Sequence, residues 1–370
     1  MLPFLGERFG NPSSRGHAQG AEAHAAVEEA RAALAALVGA SPAEIIFTSG
    51  ATESDNLAIR GAARANAERG HHIVTTSLEH SAVLEPCRTL EREGFAVTRV
   101  AVDARGIVDA EAVAAALRPD TVLVSVMAAN NEIGTLQPLA EIGALCRGRG
   151  VLLHSDAVQA VGRLPCDVET WSVDLMSLSA HKMYGPKGVG ALYVRRGRTP
   201  RVRLQAQAEG GGQERGLRSG TLNVPGIVGF GAAARLAAEA LRGGEPGRLR
   251  ELRDRLLLAL RTELGGIEVN GDLLLRLPGN LHVSIDGVEA ETLLLSLGSR
   301  IALSTGAACA EADGRGSHVL RAIGLADASV YSSVRFGIGR YNTADEIDAV
   351  VEALAGAVKE ARSRTSSVRG

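Results

Sequence analysis

Of the 40 basic residues only three are lysines, Lys182, Lys187 and Lys359. Arginine forms no Schiff base and does not give up its proton in a protein, so chemistry that needs an amine nucleophile has three candidates. Two of them lie five positions apart in Ser-Ala-His-Lys-Met-Tyr-Gly-Pro-Lys-Gly, residues 179–188. Lys182 follows an apolar run, Leu175–Ser179, and is flanked by Ser179 and His181. It reads as a nucleophile, or as a solvated lysine in a chain that has nearly lost lysine. Lys187 sits among glycines and reads as a second anion contact or a turn residue.

Cys309 is the second candidate nucleophile. It follows Ser-Thr-Gly-Ala-Ala at 304–308 and precedes the polar Glu-Ala-Asp-Gly-Arg-Gly at 311–316. A thiol is a few per cent thiolate at neutral pH, so its use requires a nearby base or cation. Cys87, Cys146 and Cys166 fall in or beside periodic elements and read as structural. No pair has the Cys-x-x-Cys spacing of a zinc site or a disulfide framework.

Other polar residues recur just after apolar strands. Thr-Ser-Gly-Ala-Thr-Glu-Ser at 48–54 opens a helix. Its backbone N–H groups and hydroxyls suit a phosphate, and equally suit an ordinary cap by Ser49 or Thr52. Glu79-His80-Ser81 reads as a cap or as a catalytic histidine. Asn130-Asn131-Glu132-Ile133-Gly134 is a turn sequence that could also aim an amide at a bound ring. Asp156 follows Val151-Leu152-Leu153, where a buried charge demands a partner. A protonated pyridine nitrogen would supply one, as in pyridoxal phosphate enzymes; a helix cap is the alternative. Lys182 lies one strand–helix–strand unit further on. The loop from Glu209 to Thr221, with five glycines, reads as exposed and adaptable.

The elements that must hold these residues alternate. Helical periodicity covers Glu22–Val38, Thr52–Arg69, Asp109–Leu117 and about 138–149. Apolar strands are expected at 44–48, 72–76, 95–102, 121–127, 151–155, 174–179 and 190–194. Continuously apolar strands alternating with helices indicate a mainly parallel sheet covered on both faces, with ligands outside the carboxyl ends of its strands. From Gly243 the texture changes. A leucine- and arginine-rich helix at 248–264 and short strands at 280–285 and 333–336 suggest a smaller α+β domain. The expected organisation is a large α/β domain at 1–242 and a small domain at 243–370, with a frayed tail from Ser363.

Composition narrows the function. The 370 residues are 45% hydrophobic and 22% charged, with a net charge of -2. That is a globular composition with no basic excess to draw it to nucleic acid. No uninterrupted apolar run reaches the ~18 residues that span a bilayer, and Met1–Leu5 lacks the pattern of a secretory signal. The expectation is a cytoplasmic protein with no membrane, nucleic-acid or metal partner.

Taken together, seven segments in order resemble the cysteine desulfurases, class V members of the fold-type I pyridoxal phosphate enzymes. They are residues 48–54, Asn130–Gly134, Asp156–Gln159, Ser179–Lys182, Gly210–Gly216, Arg218–Thr221 and Ser304–Cys309. The resemblance runs over nearly the whole chain. It implies an aspartate aminotransferase-like α/β fold, pyridoxal 5'-phosphate as cofactor and a homodimer. It also implies roles for single residues. Lys182 binds the cofactor and moves the substrate Cα proton. Asp156 partners the pyridinium, and His80 stacks on the ring. Asn131 and Gln159 donate to the ring oxygen. Ala51, Thr52, Ser179 and His181 cradle the phosphate, and Thr221 reaches the phosphate in the other subunit. Arg335 holds the substrate carboxylate, with Asn131 also contacting the substrate. Cys309 attacks the sulfur of L-cysteine, becomes a persulfide and releases L-alanine.

The spacing after Cys309 resembles the long-loop branch, which implies hand-off to an iron–sulfur scaffold or a tRNA-thiolation relay. Family members usually carry a further N-terminal segment, and this chain starts at what resembles the following helix. Rival readings are a selenocysteine lyase, a class V aminotransferase (which has no use for Cys309) and a non-catalytic sulfur carrier of the same fold.

Overall fold

A computed structural model describes the chain apart from residues 15, 198, 299, 306–315 and 369–370. It divides into two compact units. The first comprises Met1–Val100, Val108–Ala129 and Gln137–Gly243; the second comprises Ala101–Ile107, Asn130–Leu136 and Gly244–Gly370. Two short stretches inside the expected large domain thus belong to the second unit, and one of them carries Asn131.

The first unit is built on a seven-stranded sheet: β1 Ile45–Thr48, β2 His72–Thr76, β3 Ala96–Val100, β4 Thr121–Ser125, β5 Leu152–Asp156, β6 Leu175–Ser179 and β7 Gly190–Val194. The strand order is β1-β7-β6-β5-β4-β2-β3. Only β7 runs antiparallel to its neighbours, so the other six strands point their carboxyl ends to one edge. All but β3 are buried throughout, the signature of a sheet covered on both faces. Several of the polar residues in them are bonded to one another across the sheet. His72, for example, bridges Thr121 Oγ1 (2.7 Å) and Thr98 Oγ1 (2.9 Å).

The unit's helices are α1 Leu2–Leu5, α2 Ala18–Leu37, α3 Ala51–Ala65, α4 Ser81–Arg92, α5 Ala110–Ala116, α6 Leu139–Arg149 and α7 Val224–Arg242. Helix α4 has no counterpart in the periodicity reading. Pro86 lies inside it, where it removes an N–H donor. The helix persists because Ala82, Val83, Pro86, Cys87 and Leu90 form one buried face. Helix α7 also has no counterpart in the periodicity reading; by length and composition alone it is long and apolar enough to cross a membrane, although Arg235 and Glu239 interrupt its apolar residues. In this fold its face of Ile227, Phe230, Ala234 and Ala237 is buried, and it packs on α2. A Cβ on Gly231 would lie 2.5 Å from Ala30 Cα, so only glycine allows the two helices to come this close.

The second unit packs α8 Glu245–Leu264, α9 Ala290–Leu297, α10 His318–Ala322, α11 Asp327–Tyr331 and α12 Ala344–Val368 with a three-stranded sheet. Its strands are β8 Ile267–Val269, β9 Asn280–Ile285 and β10 Ser333–Gly337, all antiparallel with β9 central. Leu249, Leu252, Leu256 and Leu260 recur at helical spacing on α8 and meet Leu281, Val283 and Ile285 of β9 in one core. Truncating a residue such as Leu260 to alanine costs about 2–5 kcal/mol. Helix α12 runs to Val368, so the expected fraying from Ser363 is not what the fold shows.

Candidate active site

Strand β1 ends at Thr48, and α3 starts three residues later. Its N-cap is Gly50, with no side-chain cap. Ser49 and Thr52 therefore do not cap it, contrary to one sequence expectation. Thr48 Oγ1 instead pairs with Ser54 Oγ at 2.8 Å, and the Ser49 N–H donates to Glu53 Oε2 at 2.8 Å. An uncapped first turn, entered at half-buried Ala51 and exposed Thr52, is a ready anion site. A Cβ on Gly190 of β7 would sit 2.7 Å from Gly50 Cα and from Leu178 O, so this close turn requires glycine there.

Strand β5 carries His154 and Asp156, two residues apart and therefore on one face. Both are buried. His154 bridges Ser125 Oγ (2.9 Å) and Ser177 Oγ (3.0 Å) through its two ring nitrogens. Its Nε2 also lies 3.5 Å from Asp55 Oδ1 on α3. Burial pushes the imidazole down to about 4. The Asp156 carboxylate accepts from the Val158 N–H at 3.0 Å. Among the described residues it pairs with no lysine or arginine. Burial, then the charge of Asp55, pushes its carboxyl up to about 7. Burial does the same to Asp55, to about 7, and to Glu79, to about 8. Glu79 accepts from Thr76 Oγ1 (2.8 Å) and Met127 N–H (3.0 Å). Three acids are thus buried near one another with little compensating positive charge, which favours a cation at the end of β5.

His80 follows β2 and caps α4, its Nδ1 accepting from the Ala82 N–H at 3.1 Å. It is among the groups that act electrostatically on Asp156, which places the two close together. Lys182 follows β6, the strand paired with β5, on a single helical turn, Ala180–Met183. Ser179 Oγ bonds His181 Nδ1 at 2.8 Å. The His181 imidazole is lowered by burial, then by Lys182 and Lys187. Tyr184 ends the turn at φ +65°, a left-handed conformation that costs a non-glycine residue roughly 1–2 kcal/mol. Such strain gathers where a fold fixes a functional group. Gln159 is half-buried just beyond β5. Thr221 is exposed at the end of the glycine-rich loop.

Asn131 and Arg335 belong to the second unit, where they are joined. Arg335 Nη1 donates to Asn131 O at 2.7 Å, and the Arg335 N–H donates to Ser304 O at 2.7 Å. Neighbouring Glu132 is buried, accepts from the Ser317 hydroxyl, and is pushed by burial up to about 7. Cys309 lies outside the described residues. The other three cysteines are buried. Burial raises Cys87 and Cys146 to about 12 and raises Cys166 as well, so none is a thiolate at neutral pH.

Residues 1–350 match the model of the aminotransferase class-V family. The chain is 54% identical to a cysteine desulfurase IscS of Anaeromyxobacter sp. (strain Fw109-5), over 98% of this chain and 89% of that protein. It is 51% identical to the cysteine desulfurase of Homo sapiens, over 98% of this chain and 78% of that one. This chain belongs to the cysteine desulfurases of the class-V aminotransferase family. It is accordingly an enzyme that uses pyridoxal 5'-phosphate. Solved structures agree in fold. A NifS-like protein superposes with a TM-score of 0.89 at 39% identity, covering 97% of this chain and 94% of that one. SspA in complex with cysteine gives 0.80 at 36% identity, covering 92% and 94%.

The residues of the first unit fit that cofactor. The uncapped first turn of α3 offers backbone donors to a phosphate. The buried Asp156 carboxyl lacks a cation that a protonated ring nitrogen would provide. Lys182 is the amine one strand away. Sequence reasoning did not find Asp55, Glu79 and His154 as neighbours of Asp156, nor Glu132 as the partner of Ser317. A buried acid or histidine within or just after an apolar strand, or on the buried face of a helix, is the signal that marks the first group.

Proposed function

We propose that the enzyme converts L-cysteine to L-alanine and carries the removed sulfur as a Cys309 persulfide to an acceptor protein. Pyridoxal phosphate, when bound, supplies an electron sink for the pair of electrons left at the substrate Cα. The chain's own groups do the rest. Asp156, buried and uncompensated, holds the proton on the ring nitrogen. His80 covers the ring, and Asn131 and Gln159 donate toward its oxygen. The phosphate is received by Ala51, Thr52, Ser179 and His181. Lys182 Nζ takes the Cα proton and returns one. Arg335 receives the substrate carboxylate through its planar fork. The Cys309 thiolate then attacks the substrate sulfur; an S–S bond forms as the Cβ–S bond breaks, and Cβ takes up a proton to give alanine. Sulfur is passed on without an external oxidant.

The observation that carries this reading is the Asp156 carboxyl, buried and without an ion-pair partner among the described residues, at the end of the strand beside the one that leads to Lys182. The name of the cysteine-bound SspA structure and the desulfurase relatives support L-cysteine as substrate. The IscS relatives support an acceptor in iron–sulfur cluster assembly, or equally a tRNA-thiolation relay. A homodimer, with Thr221 serving the partner's phosphate, and a cytoplasmic location complete the proposal. The test is to supply L-cysteine and a thiol reductant and to quantify alanine and sulfide together. Equal amounts of both, abolished in Cys309→Ser, are expected. Alanine formed at an unchanged rate by Cys309→Ser overturns the role of that cysteine.

A further inference from the structure

The loop from Glu209 to Thr221 contains glycines at 210, 211, 212, 216 and 220, a composition that loses much conformational entropy on ordering. The structure nonetheless pins it, and does so with charge. Glu214 is buried, and its carboxylate accepts from Arg31 Nη1 (2.8 Å), Arg31 Nη2 (2.7 Å) and the Phe47 N–H (2.7 Å). Arg31, also buried, donates to Ile45 O (2.8 Å) and to Glu28 Oε1 (3.0 Å), and its guanidinium stacks 4.7 Å from the Phe47 ring centroid. Glu214 and Arg215 hold φ of +48° and +60°, a left-handed pair that non-glycine residues adopt only under constraint.

Two further contacts carry this fixation toward Thr221. The Gln213 side chain turns back to accept from the Gly220 N–H at 2.8 Å. Arg218 donates to Glu53 Oε1 at 2.9 Å, in the first turn of α3 beside Thr52. Thr221 itself stays exposed. These directional bonds fix the course of the loop up to the outward-facing Thr221.

We infer that Arg31 and Glu214 are positioning residues whose buried ion pair holds the glycine-rich loop so that Thr221 meets the cofactor phosphate of a second copy of this chain. The inference rests on the function proposed above, and it extends that reading to residues that touch neither substrate nor cofactor. The bidentate pair fixes the orientation of the loop, Gln213 and Arg218 brace its far end, and Thr221 contributes one hydrogen bond to a charged phosphate.

The experiment compares the affinity of the full-length apoprotein for pyridoxal 5'-phosphate and for pyridoxal, which lacks the phosphate, by absorbance titration. Glu214→Gln keeps the shape and removes the charge. It is expected to weaken pyridoxal phosphate about tenfold, the scale of one charge-assisted hydrogen bond, and to change pyridoxal by less than about twofold. Thr221→Ala is expected to do the same, and the double variant to be no worse than Thr221→Ala alone. Equal weakening of both ligands by Glu214→Gln, or no weakening of either, overturns the inference. If Thr221→Ala leaves both affinities unchanged, the proposal that Thr221 serves a phosphate falls instead. Should Glu214→Gln fail to fold, Arg218→Gln on the half-buried brace replaces it. A phosphate-selective loss of about threefold is then expected, and an equal loss for both ligands overturns the inference.

Discussion

Among the buried charged groups of the first unit, two clusters are built in opposite ways. At Arg31 and Glu214 each charge faces its opposite at hydrogen-bond distance, and the carboxylate is satisfied by three N–H donors. At Asp55, Glu79 and Asp156 acidic groups gather, and burial pushes every carboxyl upward. The first arrangement is complete in the chain alone and fixes structure. In the second, Asp156 pairs with no lysine or arginine among the described residues, and on the proposed reading the pyridinium of a bound cofactor would supply the cation. Paired buried charge marks a scaffold here, and uncompensated buried charge marks where a ligand belongs.

The sharpest way to break this contrast is Arg31→Ala, which leaves Glu214 buried without its partner. A loss of about 3–5 kcal/mol in unfolding free energy is expected, measured by denaturant titration of the apoprotein. A loss no larger than that of an exposed pair would show that the two clusters do not differ.

Asp55→Asn should act in the opposite direction. The folded-state pKa of Asp55 is raised to about 7, so its ionisation favours the unfolded chain. The stability it contributes is present below the usual carboxylate pKa and is lost as pH rises through about 7. The variant should match the parent near pH 4 and exceed it by a few kcal/mol, on the order of the linkage relation, above pH 7. Glu79, Asp156, His80 and His154 surround the same region. His154, held neutral, opposes the trend on the acid side, so the variant-minus-parent difference is the quantity to follow. A pH-independent difference would sink this account of the acid cluster. Bound pyridoxal phosphate should shrink it.

The smallest effect is expected at the surface. Arg88 and Glu85 pair on α4 with both side chains 58% exposed. Arg88→Ala should leave stability within about 0.5 kcal/mol, and a larger change would mean that exposure does not separate these pairs.

Much of the site was legible in the sequence because its residues sit at strand ends, where a single polar residue interrupts an apolar run. Asp156, Lys182 and the glycine turn before α3 stand out in that way, and β2, β7 and β9 match the apolar runs that were read as strands. What was not legible depends on distance in sequence. Arg31 and Glu214 are 183 positions apart, and no local period announces such a pair. Glu214 hid in a loop whose glycines suggested freedom, although three bonds hold it. Helix α4 was missed for a local reason: Pro86 reads as a breaker, whereas burial of the face around it decides. Asn131 lies in a stretch that the chain lends to the second unit, a membership set by contacts and not by composition.

The central claim is that sulfur leaves L-cysteine for Cys309. A single turnover with sulfur-labelled L-cysteine, without reductant, followed by mass spectrometry of the Cys309 peptide, tests it most directly. The account predicts one labelled sulfur added at Cys309, with alanine released in equal amount and no label on Cys87, Cys146 or Cys166. Alanine released with Cys309 unlabelled would contradict it.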